Sequence, residues 1–80
     1  MAITVKYFGA IADFAGKSEE LFSVSMESMD VHAIQHKVQK LYPEICSTPY
    51  SIAVNQSIER GNCAVNDGDE LAFLPPFAGG

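Results

Sequence analysis

Only one segment of this chain is long enough and periodic enough to be a full helix. Val31, Ile34, Val38 and Leu41 recur at three- and four-residue spacing, which gathers them on one apolar face. Asp30 stands where an N-cap belongs, and Pro43 ends the run because the residue before a proline avoids helical dihedrals. Ile45 can then fold back under the helix end. The segments around this helix alternate with a period of two. Ile3, Val5 and Tyr7 face one way, and Thr4, Lys6 and Phe8 the other. "ELFSVSM" repeats the pattern with Phe22, Val24 and Met26 inward, "SIAVNQ" supplies a strand through Ile52 and Val54, and "ELAFL" sets Leu71 and Phe73 against Ala72 and Leu74. One helix among several strands must cover one face of a mixed sheet, so the expected fold class is α+β.

Glycine and proline punctuate these elements. Gly9 ends the first strand, and "AIADFAG" has room for a short helical turn closed by Gly16, so the first two strands read as a hairpin-like pair. "NDGDE" is a tight turn in which Gly68 provides positive φ. Ser57 to Ala64 has room for a short edge strand. Pro75 and Pro76 end all sheet pairing, since neither can donate to a ladder. Eighty residues without a linker or internal repeat make one domain, which buries roughly 60% of its unfolded surface. The 48% apolar content is enough for one core.

Several function classes are disfavoured. The net charge of −5 and five scattered cations (Lys6, Lys17, Lys37, Lys40 and Arg60) argue against nucleic acid and toward a protein partner. The start "MAITVKYFGA" is no signal peptide, and no apolar run is long enough to span a membrane, so a soluble, reduced, cytoplasmic protein is expected. His32 and His36 have metal-ligand spacing but lie on the solvated helix face without a third ligand, so no metal is expected. Asp67, Asp69 and Glu70 fit turn chemistry rather than a calcium loop. Cys46 and Cys63 have no histidine placed to activate them, and small buried apolar roles suit them better. "GAIADFAG" is not a phosphate loop. The chain is therefore not expected to be an enzyme on its own.

The tail holds the remaining chemistry. Pro75 to Gly80 reach roughly 20 Å when extended, at about 3.3 Å per residue. The prolines stiffen the exit, Phe77 can anchor in a partner's pocket, and Gly79 and Gly80 can enter a channel where any Cβ would clash. The reactive group would be the carboxylate of Gly80. If the first and last strands lie side by side and parallel, Phe8 and Leu74 form one outward apolar patch at the root of the tail, which Ile58 can join.

"VNQS" followed by "NDGDELAFLPPFAGG", with the opening "VKYFGAIADFAG", resembles the MoaD-like sulfur carriers, the small subunits of molybdopterin synthase. The resemblance runs over essentially the whole chain. It implies a β-grasp, ubiquitin-like domain over residues 1–74 and an extended tail over 75–80. It implies that an E1-like activating enzyme, using ATP, adenylates the Gly80 carboxylate, which then becomes a thiocarboxylate. The tail would enter the synthase large subunit, in a heterotetramer, and give sulfur to cyclic pyranopterin monophosphate. Gly79 and Gly80 would carry the reaction, and Phe8, Ile58, Leu74, Pro75, Pro76, Phe77 and Ala78 would meet the partner. The chain would bind no cofactor of its own. A ubiquitin-like protein modifier, a carrier for thiazole synthesis and a plain binding module are the alternatives. The first of these shares the adenylation step, so Gly-Gly alone cannot separate it from the carrier.

Overall fold

The computed structural model describes residues 2–23, 29–59 and 61–75. Strand β1 (Ala2–Tyr7) leads into a short helix α1 (Gly9–Ala15) and strand β2 (Glu19–Ser23). A two-residue strand β3 (Met29–Asp30) then precedes the main helix α2 (Val31–Leu41), which is followed by a 3-10 turn (Pro43–Ser47). Strands β4 (Ser51–Val54), β5 (Ser57–Glu59), β6 (Ala64–Val65) and β7 (Glu70–Leu74) complete the fold.

The main sheet has the order β2-β1-β7-β4-β5. Its one parallel pairing is β1 with β7, in the register Val5↔Leu71 and Tyr7↔Phe73; the β1–β2, β4–β7 and β4–β5 pairs are antiparallel. β3 and β6 form a separate two-stranded ladder. The alternation expected for β1 and β7 is present: Ile3, Val5, Tyr7, Leu71 and Phe73 are buried on the face that also carries Ile52. Val31, Ile34 and Val38 of α2 pack onto this face, as the helical spacing requires, and Ile11, Met29, Ile45 and Val65 join them in the core. α1 closes on Gly16, which adopts the left-handed conformation at φ 73. β5 occupies the sheet edge within the segment that had room for a short strand. Val24 and Met26, expected to face inward, lie outside the described residues.

The Asp30 cap is present. Its Oδ1 accepts the Ala33 N–H at 2.8 Å, and its Oδ2 accepts from Asn62 Nδ2 at 3.2 Å. These bonds, the Ala33 N–H first, hold the Asp30 carboxyl below its ordinary range. Aromatic packing ties α2 to the sheet. Tyr50 meets Phe73 edge-on, with centroids 5.2 Å apart, while its hydroxyl accepts from Gln35 Nε2 and Gln39 Nε2. Tyr7 and Tyr42 both donate their hydroxyl to Glu20 Oε1, at 3.0 and 2.8 Å. Burial, reinforced by Glu20, keeps the Tyr7 phenol protonated far above its ordinary range.

Two expectations are corrected. Leu41 is not a core residue: it is 51% exposed, because Ile45, fully buried in the 3-10 turn, fills the space beneath the helix end. Cys46 is exposed rather than buried, and Cys63 only partly buried; both are free thiols.

Ile34→Ala should therefore cost about 2–5 kcal/mol in urea denaturation, whereas Leu41→Ala should stay within about 1 kcal/mol of the parent. Asp30→Ala should lower Tm at neutral pH. Because folding depresses the Asp30 pKa, its contribution is complete above the ordinary carboxylate range and fades as pH falls through the lower folded value. The Tm gap between parent and variant should accordingly narrow in strong acid.

Candidate functional site

The site is built where β7 leaves the sheet. Parallel pairing places the ends of β1 and β7 together, and the Phe8 N–H extends the ladder by donating to the Phe73 carbonyl at 3.1 Å. Tyr7 and Phe73 point into the core. Phe8 and Leu74, one residue further on, stand on the opposite side of the sheet. That side is the one α2 does not cover.

Ile58 reaches the same face from the edge strand, because β5 pairs with β4 in the register Ala53↔Ile58. Between these larger side chains the floor is low. Ala53 and Ala72 are register partners, so two methyl groups lie where bulkier residues would fill the surface. The result is a shallow groove of about 330 Å³ lined by Lys6, Phe8, Ala53, Gln56, Ile58, Glu70, Ala72 and Leu74. Phe8 is 43% exposed and Ile58 37%. Charge at this face is largely self-compensated, since Lys6 Nζ and Glu70 Oε1 are 3.2 Å apart.

The tail root is fixed by a glycine. Gly9 has φ 59, a left-handed conformation that favours glycine. A Cβ at this position would also stand 3.3 Å from Pro75 Cγ. Gly9 thus allows the first proline after the sheet to pack against the start of α1. Pro75 itself is exposed. The other expected tail residues, Pro76, Phe77, Ala78, Gly79 and Gly80, lie outside the described residues.

The remaining candidates do not gather into a site. His32 and His36 are exposed on α2, and among the described residues no cluster of three or more His, Cys, Asp or Glu could hold a metal. Asp67 and Asp69 act as turn acceptors: Asp67 Oδ1 takes the Ala2 N–H at 2.7 Å and Asp69 Oδ2 the Asn66 N–H at 2.8 Å. Partial burial, then a hydrogen bond and negative charge from Glu59, push the Cys63 thiol up and away from reactivity. A second depression, of about 290 Å³, lies between α2 and the β4–β5 edge; it shares Ile58 with the groove but no residue of β1 or β7.

Ala53, Ala72, Gln56 and the Lys6–Glu70 pair complete the groove, and sequence reasoning does not single them out. Gln56 lies in the β4–β5 turn and the others alternate visibly along their strands, but only the register shows that they are neighbours.

Residues 5–80 match the model of the ThiS family. The chain is 32% identical over 81 residues to the molybdopterin synthase sulfur carrier subunit of Mycobacterium tuberculosis, covering 98% of this chain and 96% of that protein. Its structure is similar to the small archaeal modifier protein 1 of Haloferax volcanii, with a TM-score of 0.81 at 21% identity over 95% of this chain and 98% of that one. It is also similar to a chain of the Helicobacter pylori complex of molybdopterin-converting factor subunits 1 and 2, with a TM-score of 0.71 at 24% identity over the full length of both chains. These structural likenesses establish the ubiquitin-like β-grasp fold, in agreement with the α+β expectation.

The Gly9 contact is testable through a pair of glycines. Gly16 also has positive φ, yet nothing lies within 4 Å of its added Cβ. Gly9→Ala should cost about 1–2 kcal/mol in urea denaturation, more than Gly16→Ala. Adding Pro75→Ala should recover only the difference between them.

Proposed function

The chain belongs to the ThiS family, and on that premise we propose that it is the sulfur carrier subunit of a molybdopterin synthase. The observation that carries this reading is the position of the groove: β7 runs along its floor and leads directly into Pro75. A partner seated on Phe8, Ile58 and Leu74 would receive the tail that follows. The full-length similarity to the mycobacterial sulfur carrier subunit supports the same reading.

Residues 1–74 are then the docking body and residues 75–80 the delivery arm. An E1-like activating enzyme binds the chain, and an oxygen of the Gly80 carboxylate attacks the α-phosphorus of ATP, releasing pyrophosphate. Adenylation converts a poor electrophile into one with a good leaving group. A sulfur donor then displaces AMP, leaving a thiocarboxylate at Gly80. This is a soft nucleophile made without any side chain. ATP belongs to the activating enzyme, and the carrier needs no cofactor of its own.

The charged tail next enters the large subunit. Pro75 and Pro76 hold the exit extended, Phe77 and Ala78 contact the channel, and Gly79 and Gly80 pass its narrowest part. The sulfur goes to cyclic pyranopterin monophosphate. A dithiolene contains two sulfurs, so two charged carriers are consumed per product, which suits a heterotetramer of two small and two large subunits. The Helicobacter pylori complex of subunits 1 and 2 is a precedent for the pairing. Two free cysteines are in keeping with a reducing cytoplasm.

The reading is tested with purified large subunit and activating enzyme. Leu74→Glu should weaken large-subunit binding by at least about tenfold, because docking would desolvate a charge. Gly80→Ala should leave stability within about 0.5 kcal/mol, since Phe73 is the last core residue among the described ones, while sulfur transfer is lost. Undiminished transfer by Gly80→Ala would refute the narrow-channel mechanism.

A further inference from the structure

The turn joining β4 to β5 contains a residue whose backbone and side chain make opposite demands. Val54 pairs with Ser57, so the loop is the two residues Asn55 and Gln56. Both have positive φ, 49° and 72°, as the tightest hairpin connections require. For Asn55 this conformation is repaid locally. Its N–H donates to the Glu70 carbonyl at 2.8 Å, its Oδ1 accepts the Glu70 N–H at 3.0 Å, and its Nδ2 donates to Asp69 Oδ1 at 3.1 Å.

Gln56 has no such return. Glycine is the usual residue at the second position of this turn, and a long side chain there is strained. Among the described residues the Gln56 carboxamide makes no hydrogen bond, yet it lines the groove. The other polar groups of the groove, Lys6 and Glu70, are paired with each other. Gln56 therefore holds the groove's uncommitted neutral donor and acceptor, at the rim of an otherwise apolar floor.

We propose that Gln56 is a partner-recognition residue, its carboxamide pairing with the main-chain N–H and C=O of one extended residue of the large subunit that covers the groove. One of its N–H donors and its carbonyl acceptor match the C=O and N–H that one extended residue presents side by side. The strain in the turn is tolerated because the side chain serves the interface rather than the fold, as strained residues at functional sites often do. This inference rests on the docking reading above. It adds a specific polar contact to an apolar surface, and so fixes register where Phe8, Ile58 and Leu74 supply only area.

The test compares Gln56→Gly and Gln56→Ala in thermal melts and in titrations with the large subunit from the same organism. Gln56→Gly relieves the backbone and removes the carboxamide, so Tm should rise by about 2–6 °C while Kd weakens about three- to tenfold. Gln56→Ala removes the carboxamide but keeps the strain, so it should lose the same affinity without the gain in Tm. A Gln56→Gly protein that binds like the parent overturns the recognition role, and one that melts lower overturns the backbone strain on which that role rests. Failure of the parent itself to bind the large subunit refutes the docking reading and this inference together.

Discussion

The parallel pairing of β1 with β7 is the constraint from which the rest of the structure follows. It places two strands from opposite ends of the chain at the centre of one sheet, with Tyr7 beside Phe73 and Val5 beside Leu71. Strands so far apart in sequence and running the same way need a crossover, and α2 lies on that path. The crossover covers one face with Val31, Ile34 and Val38, and among the described residues no helix covers the other. The same register that buries Tyr7 and Phe73 brings Phe8 and Leu74 out together. Core and candidate docking surface are thus two consequences of one hydrogen-bonded ladder.

This arrangement separates stability from chemistry. Among the described residues Phe73 is the last of the core, and the groove contributes little to it: its floor is two alanines and its ion pair is substantially exposed. In the proposed function the reagent is the main-chain carboxylate of Gly80, so no catalytic side chain has to be buried or have its pKa tuned. Among the described residues, fold and tail meet closely at Gly9, whose missing Cβ leaves space for Pro75. Substitutions in the tail should affect transfer without unfolding the protein, and substitutions in the core should do the reverse.

The longer periodic patterns are legible in the amino-acid sequence itself. The alternation of β1 and β7 and the stripe of α2 each repeat enough for burial to be assigned, and Asp30 and Gly16 have local signals of their own. Leu41 belongs to the stripe by spacing alone. What exposes it is Ile45, one turn further along, and periodicity says nothing about which of two apolar residues takes one space. The β3–β6 ladder is too short to carry any pattern. On the candidate site, Phe8, Ile58 and Leu74 can be named because each is a large apolar residue on an outward phase. Ala53, Ala72 and the Lys6–Glu70 pair are ordinary strand residues until the register makes them neighbours. The positive φ of Gln56 follows from a two-residue loop whose length depends on that same register.

The proposed chemistry stands or falls on whether the Gly80 carboxylate carries sulfur as a thiocarboxylate. Intact-mass spectrometry of the purified chain, after incubation with its activating enzyme, ATP and a sulfur donor, reads this directly. The expected result is an ATP-dependent replacement of one oxygen by sulfur, located to Gly80 by fragmentation. An unchanged mass, or covalent conjugates to other proteins with no thiocarboxylate formed, would contradict it.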